Sequence, residues 1–253
     1  SHGSWGGIYA LGTTTSAVVM VWAGGLTDKF RVRTLGPLVL LLLAFACLLM
    51  ALNPYAWFLP VVIFALRLSG QGMTTHIAVV AMARWFVAAR GRALSIAALG
   101  YSVGQALLPI LFVMLLGLMD WRILWVFAAL ISLAGVPILF RLLKKERTPQ
   151  SMANENPSFG MNARFWNRSD AIKHPLFWCM VPSILGPSAF NTAFFFHQVH
   201  FAELKDISHV TLVAQFPLYT AVSVAAMLLS GWGLDKIGTS RLIPFFQVPM
   251  IAA

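Results

Sequence analysis

Apolar runs of membrane-spanning length, cut by short charged or Gly/Pro-rich links, constrain this chain more than any other feature. Eight occur, at about 5–25, 35–52, 57–84, 93–118, 121–142, 175–201 and 208–231, with an incomplete one from 241. A hydrocarbon core of about 30 Å takes about 20 helical residues, which is the length of these runs. Lipid cannot satisfy backbone N–H and C=O groups, so a spanning segment must be a helix or part of a closed barrel, and long runs with short links fit a helical bundle. The fold class is therefore an all-α membrane protein. Charged residues make up 10% of the chain and hydrophobic ones 59%, against about a quarter charged in a soluble domain. The formal charge of +10 does not mark a nucleic-acid binder, because the cations punctuate apolar runs and form no basic face beside a soluble core. Cys47 and Cys179 lie inside separate runs and read as small buried apolar side chains, with no disulfide framework.

The cations fix an orientation. Lys29, Arg31 and Arg33 follow the first run, and Arg84, Arg90 and Arg92 follow the third. Arg141, Lys144, Lys145, Arg147, Arg164, Arg168 and Lys173 follow the fifth, and Lys236 and Arg241 follow the seventh. These fifteen of the eighteen Lys and Arg residues alternate onto one side, which the positive-inside rule makes cytoplasmic. Arg122 and Lys205 fall near the outer surface, leaving Arg67 alone in mid-membrane. The long polar segment 143–174 separates an N-terminal half, 1–142, from part of a second half, 175–253. The sequence opens without Met and stops inside an apolar stretch, which reads as an internal fragment.

Two of the short links repeat. "GGLTDKFRVR" begins at Gly24 and "GWGLDKIGTSR" at Gly231, and one offset relates their Gly, Asp and Lys: 231 − 24, 235 − 28 and 236 − 29 are all 207. Gly24-x-Leu26-x-Asp28-Lys29 and Gly231-x-x-x-Asp235-Lys236-x-Gly238 resemble the G-x-L-x-D-R/K-x-G-R/K loop of the major facilitator superfamily of secondary transporters and its degenerate second copy. Arg31 stands where that family usually has Gly, whereas Gly238 keeps it. "RLSGQG" at 67–72 resembles the family's fourth-helix motif, "RWFVAARGRALSIA" its fourth-to-fifth helix loop and "GYSVGQALLP" its Gly-rich fifth helix. The resemblance covers nearly the whole chain. It implies helices two to eight and part of nine of a twelve-helix protein, truncated at both ends, whose pseudo-symmetric halves are parallel repeats with a solute site between them near mid-depth. A looser likeness to the monocarboxylate-porter branch rests on no branch-specific motif.

A carboxylate gains from the backbone amides that open a neighbouring helix, where the macrodipole is positive. Asp28 and Asp235 are placed for that, and the resemblance implies that each loop braces its half in one conformation. Gly24, Asp28, Lys29, Gly231, Asp235, Lys236 and Gly238, with Arg90 and Arg92, are the expected latch. By pseudo-symmetry Asp235 should approach residues 91–93; an ordinary solvated loop is the alternative. Placing Arg67 at the bilayer centre costs about 2.5 kcal/mol even on the lenient insertion scale, so it should face the bundle interior and have partners. In a regular helix Arg67, Gln71 and Thr74 form one polar stripe, either a solute site or a structural cation satisfied by neighbouring carbonyls. His76 should face a different neighbour.

Tyr101 and Gln105 share one face of the fifth helix and are candidates for cavity lining, while Gly100 and Gly104 suit close packing. Pro182 and the pair Gly186-Pro187 suggest a broken helix in 175–201. Beyond the break, Asn191, Phe194, Phe195 and Gln198 fall roughly together, with His197 and His200 near the outer end, so Phe194, Phe195 and His197 could gate a cavity. Aromatic-belt packing is the alternative. His197 and His200 lack a completing ligand, so no metal is expected, and no cofactor. None of the eight acids, Asp28, Asp120, Glu146, Glu155, Asp170, Glu203, Asp206 and Asp235, lies at mid-membrane, so the cavity is neutral to positive.

The expectation is a multi-pass transporter of the inner or plasma membrane, not an enzyme, that moves a small anionic organic solute by alternating access, coupled to a proton or counter-solute. Its partners are membrane lipid, the solute and protons, and it is expected to act as a monomer. Efflux of hydrophobic or drug-like compounds is the alternative within the family. An intramembrane enzyme would need a nucleophile or ligand set at matched depth, which the sequence lacks; a non-transporting receptor of the same fold is the remaining class.

Overall fold

In the computed structural model, residues 2–86, 89–144, 168–208, 211–212, 214–245 and 248 are described. Much of the inter-half linker, 145–167, lies outside them. Among the described residues the chain is helical, without strands. It divides into two compact units, 1–87 with 97–151, and 88–96 with 152–253. The second unit thus includes a short stretch, 88–96, that sequence order would assign to the first half.

The first unit starts with α1 (His2–Ala23), the short α2 (Leu26–Lys29) and α3 (Val32–Leu52). Pro54 cannot extend α3, and Asn53 Oδ1 accepts from the Tyr55 amide at 3.1 Å to turn the chain. Tyr55 stacks on Trp57 and Phe58 meets Trp57 edge to face at that end, with ring centroids 6.1 and 5.8 Å apart, as an aromatic belt would. The next span is one continuous rod in three registers: α4 (Leu59–Leu66), an eight-residue π segment (Arg67–Thr74) and α5 (Thr75–Trp85). Then come α6 (Arg90–Leu116), which runs across the division at residue 96, and α7 (Trp121–Leu142), whose first turn is capped by Asp120 Oδ1 accepting from the Arg122 amide at 2.8 Å.

Small residues set the packing in this unit. A Cβ on Gly135 of α7 would come within 3.0 Å of Leu40 on α3, and one on Gly36 within 3.3 Å of Leu139, so the two helices close on each other where side chains are smallest. Ala44, Cys47 and Ala129 are buried at the same seam. Outward faces are apolar: Leu38 is 57% exposed and Ile131 73%. Apolar faces of this extent need lipid against them.

The second unit holds the first turns of α6, then α8 (Arg168–Lys173), α9 (Pro175–Phe196), α10 (Gln198–Leu204), α11 (Phe216–Ile237) and α12 (Thr239–Leu242). The expected break in 175–201 is absent: α9 runs through Pro182 and Pro187 and ends only at His197. Ser183, Ser188 and Thr192 donate to the carbonyls of Cys179, Ile184 and Ser188 at 3.4, 3.1 and 2.8 Å, supplying hydrogen bonds along a helix that two prolines have thinned. The irregularity sits instead at 67–74. α11 also begins later than the run at 208, because Pro217 suits a first helical turn. Gly238, with φ +93° and ψ 153°, then turns the chain into α12, a backbone geometry that side chains rarely adopt.

Among the described residues, five helical segments are long and apolar enough to cross a membrane: Gly6–Lys29, Val32–Leu52, Ala56–Trp85, Trp121–Leu142 and Phe216–Ile237.

Candidate functional site

Among the described residues three polar clusters interrupt the apolar surfaces, two in the first unit and one in the second. The deepest in sequence terms is at Arg67, the first residue of the π segment. Its Nη1 donates to Gln71 Oε1, and its guanidinium lies over the ring of Tyr9 on α1, 5.0 Å from the centroid. Thr74 is not part of this pair. The wider i→i+5 turn rotates it away from the stripe that a regular helix would make, and its hydroxyl donates to the Ser69 carbonyl five residues back at 2.7 Å. Ser69, fully buried, donates to Ala65 O at 2.6 Å. Gly70 and Gly72 help admit this register: a Cβ on Gly72 would approach Met20 Sδ on α1 to 3.1 Å.

The second cluster closes the α1–α3 link. Arg84 at the end of α5 donates through Nη1 to the Thr27 carbonyl at 3.0 Å and pairs with Asp28 at 3.2 Å. The Thr27 hydroxyl donates to Gly24 O at 2.8 Å, and His76 Nε2 lies 3.0 Å from the same carbonyl and 3.3 Å from the hydroxyl. His76 therefore faces this link and not Arg67. Gly24 packs close to His76, and Lys29 ends α2 beside the exposed Asp28.

The third cluster lies at the start of α6. Asp235 on α11 accepts from the Gly91 amide through Oδ1 at 2.6 Å and from the Arg92 amide through Oδ2 at 2.9 Å, and Arg92 Nε stands 3.5 Å from Oδ2. The reason is local. The first amides of a helix have no intrahelical partner, and Ala89 before Arg90 offers no side-chain oxygen to cap them. Asp235 acts as that cap from another helix. Such proximity demands glycine: a Cβ on Gly231 would meet Gly91 O at 2.7 Å and Ser95 Cβ at 2.8 Å, and one on Gly91 would meet Asp235 Oδ1 at 2.9 Å. Lys236 turns to the ring of Trp232, 5.0 Å away, and takes no part in the cap.

The remaining candidates are scattered. Tyr101 is exposed on α6, and the side chain of Gln105 is outside the described residues, as are those of Phe195 and Gln198. Asn191 Oδ1 accepts from the Tyr219 hydroxyl on α11 at 3.1 Å. Phe194 meets Phe201 edge to face, with centroids 5.4 Å apart. His197 closes α9 and borders a shallow open depression with Ser188 and Thr192. His200 lies 3.7 Å from Glu203. Among the described residues no three His, Cys, Asp or Glu side chains gather as a metal site would require.

The family model described as Major Facilitator Superfamily matches residues 2–253. The chain belongs to the major facilitator superfamily. No curated protein and no solved structure matched it. As a facilitator it is an integral, multi-pass membrane transporter that works in lipid on a small-molecule solute and is not an enzyme. The monocarboxylate-porter likeness gains no support from the match. Tyr9, Thr27, Arg84 and Ser95 make contacts in these clusters, and Tyr219 one with Asn191, that sequence reasoning missed. Arg84 carried a signal, as a cation at the end of a span that returns to the side of Asp28. Tyr9, an aromatic among aromatics, carried none.

Proposed function

We propose that this facilitator moves a small anionic organic solute by alternating access, with Arg67 as the cation that receives it and a proton or counter-solute as the coupled species. The observation that supports this reading is the company Arg67 keeps. Its partners, Gln71 and Tyr9, are both neutral, and no carboxylate pairs with it among the described residues. A structural membrane arginine would have its charge answered; this one keeps a net positive charge for a ligand. In the same reading the cap of Asp235 on α6 is a latch that forms in one transport state and opens in the other. The loops bearing Asp28 and Asp235 are then cytoplasmic, and the protein acts as a monomer in an inner or plasma membrane.

The test is uptake of radiolabelled carboxylates, amines and sugars into proteoliposomes under an imposed pH gradient. Carboxylate uptake that follows the gradient is expected. Uptake of amines but not carboxylates would refute the anion assignment, and uptake indifferent to the pH gradient would remove the proton as coupled species.

A further inference from the structure

Among the described residues, the five spans hold one histidine, His76, and two acids, Asp28 and Asp235, each at the end of a span. Both acids are engaged, Asp28 with Arg84 at 3.2 Å and Asp235 with the Gly91 and Arg92 amides at 2.6 and 2.9 Å. His76 is half-buried on α5, and its two ring nitrogens differ. Nε2 lies 3.0 Å from the Gly24 carbonyl and 3.3 Å from the Thr27 hydroxyl, which itself donates to the same carbonyl at 2.8 Å. A carbonyl can only accept, so Nε2 carries a proton and Nδ1 of the neutral ring holds the lone pair. Nδ1 has no hydrogen-bond partner among the described residues. Nor is it sealed in, because the buried side-chain nitrogens and oxygens of those residues are all bonded except the Thr13 hydroxyl. The charged groups of this cluster, Asp28 of the α1–α2 link and Arg84 of α5, answer each other. The neighbouring elements bring apolar side chains to this part of α5, Met20, Leu26, Leu35 and Met73, while Lys29, Arg31 and Arg33 are exposed.

We propose that His76 is the proton-binding site of this transporter: Nδ1 takes the coupled proton, and the imidazolium so formed holds the Gly24–Asp28 link to α5. A proton from water adds to the Nδ1 lone pair, the Nε2–H is kept, and the proton returns to water on release; no other bond changes. Histidine is the side chain whose charge changes across the ordinary pH range. The neutral ring already donates to the Gly24 carbonyl, and the charged ring makes that bond charge-assisted, about twice as strong. Proton binding is thereby tied to the hold on the link. The proposal rests on the reading of a proton as the coupled species.

The ring nitrogens of His76 are followed by NMR in the full chain, carrying isotope-labelled histidine in lipid nanodiscs, from about pH 8 to about pH 5. Their signals are assigned by their loss in His76→Gln. At the upper end the ring should be neutral with its proton on Nε2, and it should pass reversibly to the imidazolium within the range. A ring neutral throughout, or a neutral ring protonated on Nδ1, would overturn the proposal. Coupling is read in proteoliposomes with the radiolabelled carboxylates. A gradient of one pH unit, acid outside, sets a limit of about tenfold accumulation for one proton per solute, and wild type should approach it. His76→Gln keeps an N–H donor for the Gly24 carbonyl; it should lose the accumulation but still exchange solute when no gradient is imposed. Gradient-driven accumulation surviving in His76→Gln, or loss of exchange along with accumulation, would overturn the proposal. No gradient-driven accumulation in wild type would instead overturn the proton reading on which it rests. Size-exclusion chromatography checks that His76→Gln is folded; if it is not, the wild-type titration still decides.

Discussion

Replacing Gly231 with alanine should open the cap on α6 without touching any charged group. The added Cβ would stand 2.7 Å from Gly91 O and 2.8 Å from Ser95 Cβ, whereas ordinary carbon contacts lie at about 3.5–4.0 Å. Both obstacles involve backbone or a Cβ, so no flexible side chain can swing clear, and α11 must step back by about 1 Å to reach that separation. Asp235 is one turn further along α11 and moves with it. Its bond to the Gly91 amide, 2.6 Å in the native state, then stretches past the hydrogen-bonding range, and so does the 2.9 Å bond to Arg92. Overpacking of this kind costs about 1–3 kcal/mol, and a free energy of that size is a roughly 5- to 150-fold change in an equilibrium. The assay is hydrogen exchange at the Gly91 and Arg92 amides, read by mass spectrometry on short peptides spanning them, with Asp235→Ala as the reference for a cap wholly removed. Exchange in Gly231→Ala should rise toward that reference. Exchange equal to wild type in Gly231→Ala would show that the glycine is not what allows the cap to form.

Other perturbations probe the remaining elements. Gly12→Ala sets a Cβ 2.8 Å from Pro60 O and 2.9 Å from Ile63 Cγ2, so α1 should loosen from α4 by about 1–3 kcal/mol and the thermal midpoint should fall; an unchanged midpoint contradicts this packing. Arg84→Gln removes the ion pair to a largely exposed Asp28, worth little by itself, together with the bond to the Thr27 carbonyl, for a combined loss of about 1–3 kcal/mol. Asp28→Asn should cost clearly less than Arg84→Gln in the same thermal measurement, and equal losses would place the stability in the ion pair. Gly238→Ala forces a side chain into a backbone with φ +93°, at about 1–3 kcal/mol, and should fray the α11–α12 corner, seen as faster exchange at residues 239–242.

The legible and the illegible parts of this protein differ in physical kind. Helix positions followed from apolar run length, because lipid leaves the backbone no alternative. The meeting of Asp235 with residues 91 and 92 was implied by the resemblance to a family whose repeated loops brace the two halves, with the repeat offset and the rule that helix starts attract carboxylates in support. The register of 67–74 was hidden, since π and α turns differ only in which carbonyl each amide selects, and Gly70 and Gly72 permit either. Thr74 left the polar stripe for that reason. Pro182 and Pro187 were misread as a break because hydroxyls at 183, 188 and 192 support the helix around them, a compensation that counting prolines does not see. Tyr9 and Arg67 meet across 67 − 9 = 58 positions, a tertiary contact with no local spacing to announce it. The ties of His76 to Gly24 and Thr27 are of the same sort.

Whether Arg67 receives the anionic solute is decided by comparing initial uptake of a transported carboxylate in proteoliposomes containing wild type and Arg67→Gln, matched for the amount of folded protein. Loss of one desolvated charge-assisted contact, about 1.5–3 kcal/mol, predicts that kcat/KM for the carboxylate falls by a factor of roughly 10 to 150. Carboxylate uptake undiminished in Arg67→Gln would take Arg67 out of the solute site.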